Sequence, residues 1–158
     1  MEVIYAGEPI VLGENAKANG SIFLAGPTPR TKEVKSWRPE ALAIFEEIKF
    51  EGTVFVPEPR DGSVWSDYTN QVEWEEAALT AADCILFWVP RKLPEMPAFT
   101  TNVEFGFWAR SGKVVWGNPP GASHTNYPLY YCKKYGIPVA EDLRRTIWLA
   151  LWRIHGLM

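Results

Sequence analysis

The sequence is poor in the residues that hold metals and build disulfide frames. Its 158 residues include two cysteines, Cys84 and Cys132, and two histidines, His124 and His155. The cysteines show no CxxC or Cys/His spacing, so they read as reduced thiols and not as a zinc site or a disulfide framework. The histidines are too isolated to define a triad or a metal site, and nothing in the chain calls for a metal or an organic cofactor. Positive charge is also short: 16 Lys and Arg against 19 Asp and Glu leave a net charge of −3. A nucleic-acid polymer needs a basic face that displaces phosphate counterions, so it is not the expected partner. No apolar run is long enough to span a membrane, and the start, Met1-Glu2-Val3-Ile4-Tyr5-Ala6-Gly7, lacks the basic stretch of a secretory signal. The expectation is a cytoplasmic protein without a membrane partner. GxGxxG, the Walker loop and GxSxG are absent too, which removes the usual dinucleotide, P-loop and serine-hydrolase assignments.

What the chain does have is apolar and aromatic bulk. Hydrophobic residues make up 47% of it, enough for one well-buried domain and too little for two. Eight Trp, eight Phe and six Tyr exceed what such a core needs, so some of them are expected to line a ligand pocket or a subunit contact. Residues 1–20 read as an N-terminal extension with a short strand around Val3–Ala6, and residues 21–158 as the domain. Apolar runs closed by turn residues mark strands at 21–25, 53–57, 84–89, 113–116 and 137–140. Between them, helices are expected from Ser36, near 70–82, from Thr101 or Asn102 to about 111, over 127–135 and over 141–155. Such alternation implies a single-domain α/β fold, doubly wound in the Rossmann or flavodoxin manner, with a parallel five-stranded sheet and helices on both faces. Ligands of such sheets bind beyond the carboxyl ends of the strands, which directs attention to the loops there.

Those loops carry Gly26-Pro27-Thr28-Pro29-Arg30 after the first domain strand, then Glu58, Arg60, Asp61 and Trp65 after the second. After the third, Thr101 and Asn102 lead into Glu104. Placed in the first turn of its helix, Glu104 would sit among free backbone N–H groups that favour an ionised carboxylate, as a nucleophile requires; an acid that merely improves the helix start reads the same way. Glu75 shares helical spacing with Val72, Glu76 and Leu79, which puts it beside the buried stripe. A carboxylate there is either poised in a pocket or paired with a cation such as Arg30 or Arg60. Trp65, Tyr68 or Trp88 could stack on a flat ligand, with core packing the default for Trp88.

Four pieces of the chain together resemble the nucleoside 2-deoxyribosyltransferases and their nucleotide N-hydrolase relatives. They are Ile22-Phe23-Leu24-Ala25-Gly26-Pro27, the helix Gln71–Ala82 ending at Asp83, the strand Cys84–Val89, and Thr101-Asn102-Val103-Glu104-Phe105-Gly106-Phe107-Trp108. Ala109 and Gly112-Lys113 follow in family order, and the Ala-Gly-Pro-Thr-Pro-Arg loop with Trp37-Arg38 is similar to the divergent deoxyribosyltransferase-like branch. The resemblance covers roughly residues 20–120. It implies that Glu104 is the nucleophile and that Glu75 stands for the acid that places sugar and base. It also implies a nucleoside or nucleotide and a free nucleobase as ligands, and a homo-oligomer. Substrate contacts are expected from Gly26, Pro27, Thr28, Arg30, Asp61, Trp65, Thr101 and Asn102. The family's further acid just before the nucleophile is missing from Ala98-Phe99-Thr100-Thr101-Asn102, so its role would pass to Thr101 or Asn102. The reaction implied is transfer of the sugar through a glycosyl-glutamate. The alternatives are hydrolysis of a nucleoside 5′-monophosphate, or a nucleotide sensor that has lost the reaction.

Overall fold

The computed structural model describes residues 1–31, 33–63 and 67–157. The apolar runs form strands β2 (Ser21–Ala25), β3 (Thr53–Val56), β4 (Cys84–Trp88), β5 (Val114–Gly117) and β6 (Val139–Ala140). A further strand, β1 (Glu2–Tyr5), pairs with β3 from Glu2 opposite Thr53 to Tyr5 opposite Val56. All pairings are parallel and the order is β1-β3-β2-β4-β5-β6. The sheet therefore has six strands, not five. Segment 1–20 supplies the sixth, at the sheet edge, where only Ile4 of the strand is buried and the apolar signal is correspondingly weak.

The connecting helices are α1 (Glu14–Asn19), α2 (Arg38–Glu47), α3 (Tyr68–Ala81), α4 (Phe99–Trp108), α5 (Asn126–Tyr135) and α6 (Leu143–Ile154). The strand pleat divides the core between two faces. Ile22, Leu24, Leu86 and Val115 pack against Trp37, Phe45, Ile147 and Leu151 of the α2–α6 side. Phe23, Ile85, Phe87 and Trp116 pack against Leu79, Phe105 and Cys132 of the α3–α5 side. At the centre of that second face Phe105 stands edge-on to Phe87 (5.5 Å between centroids) and to Trp116 (4.8 Å). Each such fully buried side chain contributes about 1.5–3 kcal/mol. Their effect on the site is direct, because Phe105 fixes the roll of the helix that carries Glu104. Among the described residues no helix is long and apolar enough to cross a membrane.

Two polar ties set helix ends against the sheet. Asp83 Oδ2 accepts from the Ser21 amide (2.9 Å) and hydroxyl (2.7 Å), locking the start of β2 to the α3–β4 turn. Lys113 Nζ donates to the carbonyls of Thr80 (2.9 Å) and Ala82 (2.8 Å), groups that a helix end otherwise leaves without a partner. After β2 the chain crosses by α2 on one face, and after β4 by α4 on the other. The order of strands thus reverses between β2 and β4, and their carboxyl ends part there to leave a crevice.

Candidate functional site

A cavity of about 190 Å³ occupies that crevice. Its floor is Phe23, Ala25 and Gly26 at the end of β2, and one wall is Tyr68, Gln71, Val72 and Glu75 of α3. The opposite wall is Ala98–Thr101 and Glu104 at the start of α4, and Pro27, Thr28, Arg30, Arg38 and Pro57 close the remainder. The helical period brings Tyr68, Gln71, Val72 and Glu75 to one face of α3, and Thr101 and Glu104 to one face of α4. Val72, expected on the inward stripe with Leu79, is 43% exposed and faces the cavity, while Leu79 is buried in the core.

Gly26 makes the approach of β2 to β4 possible. Its φ is +148°, and a Cβ there would lie 2.1 Å from the Trp88 carbonyl oxygen, so any other residue at this point would push the strand ends apart. Trp88 itself is packed in the α2-side core and does not line the cavity. At the other wall Ala98 caps α4 in the left-handed conformation (φ 58°), a costly one for a residue with a Cβ.

α4 starts at Phe99, earlier than the Thr101 or Asn102 expected, because its cap is Ala98 and not a side-chain acceptor. Glu104 is therefore the sixth helical residue, beyond the first turn and its unpaired N–H groups. The argument that a helix start keeps it ionised does not apply. Instead burial, with the Glu75 carboxylate beside it, pushes Glu104 up to about 7, and the Arg38 guanidinium only partly opposes this. Burial likewise raises Glu75, against the pull of a 2.9 Å hydrogen bond from Gln71 Nε2 and of Arg38. Two carboxyl groups in one partly desolvated cavity repel, so neither ionises as readily beside the other as it would alone in water.

Neither Arg30 nor Arg60 is the cation paired with Glu75. Arg60 binds Glu8 (2.6 Å) and lies over the Tyr5 ring at 4.2 Å, on the β1 side. Arg30 is exposed on the cavity wall, 5.4 Å over the Phe99 ring. The buried cation lining the cavity is Arg38, only 2% exposed, on the first turn of α2. Its Nε donates to the Leu24 carbonyl (3.2 Å), Nη2 to the Gly26 carbonyl (2.8 Å), and Nη1 to Thr28 Oγ1 (3.1 Å) and Glu58 Oε1 (2.6 Å). Trp37 Nε1 adds a bond to the Pro27 carbonyl at 3.2 Å. Ser36 Oγ accepts from the Arg38 amide, as a cap would, while donating to Glu58. The Trp37-Arg38 pair was visible in the sequence, but nothing local says that its side chains turn back under β2.

Of the residues marked in the sequence, the cavity brings together Gly26, Pro27, Thr28, Arg30, Glu75, Thr101 and Glu104. Asp61 is exposed, accepts from the Ser63 amide at 2.9 Å and does not line it. Asn102 points away as well, its Oδ1 taken by Arg91 Nη2, while Arg91 Nη1 holds the His124 carbonyl (2.8 Å). Trp65 lies outside the described residues. Tyr68 and Phe99, 73% and 64% exposed, present rings at the cavity mouth. Among the described residues no three His, Cys, Asp or Glu groups gather as a metal site would need.

A family model described as nucleoside 2-deoxyribosyltransferase like matches residues 19–122, a segment that includes every cavity-lining residue. No curated protein matches the chain.

Proposed function

Because the chain belongs to the nucleoside 2-deoxyribosyltransferase-like family, we propose that it cleaves the N-glycosidic bond of a (deoxy)nucleoside and passes the sugar to another base. The observation that carries this reading is the pair Glu104 and Glu75, set on two helices around one small cavity and both displaced toward their protonated forms. Retaining glycoside cleavage needs one carboxyl group that can give a proton and one that can attack as the carboxylate, and this pair supplies both groups.

In the proposed cycle the proton that burial holds on Glu104 passes to Glu75 when substrate binds, and the Glu104 carboxylate so formed attacks the anomeric carbon as the bond to the base breaks. The bonding electrons leave with the base nitrogen, which takes a proton from the Glu75 carboxylic acid, directly or through a water. The products are a glycosyl ester on Glu104, a neutral base and an ionised Glu75. An incoming base then attacks the same carbon, loses its N–H proton to Glu75 and releases the Glu104 carboxylate. Arg38 lowers the energy of whichever carboxylate is charged. The cavity volume is below the roughly 300–1,000 Å³ of sites that enclose a whole drug-sized ligand. A pentose fits inside it, and the base lies at the mouth between the exposed rings of Tyr68 and Phe99.

Incubation of a deoxynucleoside with a second free base tests the reading. Base exchange that disappears in Glu104→Ala supports it, and wild-type protein that turns over no nucleoside or nucleotide refutes it in favour of a sensor. Hydrolysis of a nucleoside 5′-monophosphate is the second reading. It draws on Arg30, an exposed cation on the cavity wall able to meet a phosphate. Free sugar phosphate, without exchange, is its signature.

A further inference from the structure

The buried guanidinium at position 38 accounts for more hydrogen bonds than any other side chain around the cavity, and it does two separable things. Its fork spans the carbonyls of Leu24 in β2 and of Gly26 just beyond it, together with the Thr28 hydroxyl, so the loop that forms the cavity floor is held from beneath. Its charge is only partly neutralised, since Glu58 takes one Nη1 hydrogen while Glu104 and Glu75 feel the remainder through the cavity. A guanidinium has five N–H groups, and no described residue accepts the second Nη2 hydrogen. Arg38 also lines a second groove, together with Tyr5, Glu46 and Glu58. It therefore stands between an acidic cavity and an acidic counterweight.

We propose that Arg38 is a positioning residue of this site: held by Glu58, it fixes the Gly26–Thr28 loop and sets, through space, the charge carried by the Glu104–Glu75 pair. The proposal deepens the functional reading and rests on Glu104 being the reacting carboxylate. The groups that face the pair are Arg38 from α2, Arg30 from the β2 loop and Tyr68 from α3; Glu58 acts behind Arg38 from the β3 loop. Removing the cation leaves the two acids with no buried counter-charge. Removing Glu58 frees the cation to act on them undivided. Two substitutions of a single charge, one on each partner of the same ion pair, must then move the same carboxyl group in opposite directions. Simple loosening of the fold would move both the same way, toward the ordinary carboxylate value.

The test is the titration of Glu104, followed by carboxyl-carbon NMR of the full-length protein labelled at glutamate and assigned with Glu104→Gln. It needs no knowledge of the substrate. Arg38→Met is expected to raise the midpoint by roughly one pH unit and Glu58→Gln to lower it by a comparable amount, while Arg38→Lys keeps it near the wild-type value. Midpoints that move in the same direction, or stay fixed in both, overturn the proposal. Should Arg38→Met fail to fold, Arg38→Gln takes its place: a raised midpoint there against a lowered one in Glu58→Gln supports the proposal, and any other pattern refutes it. Once turnover is found, the acid limb of the kcat/KM profile should follow the same order. Midpoints that behave as expected in a protein without turnover would sink the functional reading and leave the electrostatic role of Arg38 standing.

Discussion

Replacing Glu104 by Gln should make the protein more stable, and increasingly so as pH rises. The carboxyl is nearly buried beside another acid, and its midpoint in the folded protein is about 7 against an ordinary 4.5. The folded state therefore keeps a proton that the unfolded chain releases between those two values. Because the folded state binds more protons over that interval, stability falls as pH rises from 4.5 to 7, and the loss is complete above 7. A displacement of about 2.5 pH units, at about 1.4 kcal/mol each, corresponds to about 3 kcal/mol. An amide of the same shape carries no such penalty. Urea unfolding of wild type and Glu104→Gln should then give nearly equal stabilities at pH 4.5 and a gap of about 3 kcal/mol at pH 8.5. In a chain of this length that gap is equivalent to ~6–12 °C in Tm. A gap that stays constant with pH, or that favours the wild type at pH 8.5, would refute the claim that this acid is held against its own ionisation.

Other consequences of the same structure can be checked separately. Gly26→Ala puts a Cβ against the Trp88 carbonyl in a backbone conformation that L residues rarely adopt; it should cost ~1–3 kcal/mol or more by urea unfolding and distort the cavity floor. Lys113→Met removes both hydrogen bonds at the end of α3 and should cost about 1–2 kcal/mol in the same assay, since each such bond is worth about 1 kcal/mol. Burial pushes the Cys84 and Cys132 thiols up to about 12, so a thiol-directed chromogenic disulfide should label neither at pH 8 in the native protein and both in denaturant.

The central strands were legible because each is a continuous apolar run ended by Gly, Pro or Asp, as burial on both faces of a parallel sheet demands. Glu2–Tyr5 was harder to place in the sheet because an edge strand buries little. The start of α4 was misplaced for another reason: the sequence pointed to Thr101 or Asn102 as the first helical residue, whereas the chain turns at Ala98 in a left-handed conformation that no alanine advertises. That shift of about half a turn changed the chemistry inferred for Glu104 from a carboxylate stabilised by free N–H groups to an acid resisting ionisation. Cavity residues next to strand ends, such as Gly26 and Thr28, could be read directly from topology. Arg38 could not, because its bonds to Leu24, Gly26 and Glu58 cross 14, 12 and 20 residues of chain. Sequence proximity pointed to Arg30 and Arg60 instead, and neither is the buried cation.

Because β2 lies in the middle of the sheet, with the chain passing to its left and then to its right, the two acids and the arginine that faces them arrive from stretches on both sides of it. No half of the polypeptide holds a rudimentary version of the pocket. A backbone cut between residues 47 and 53 would leave Arg38 on one piece and both acids on the other, and the proposed reaction could return only when the fragments reassociate. Turnover in such a split chain would serve as a direct gauge of how completely the sheet has closed.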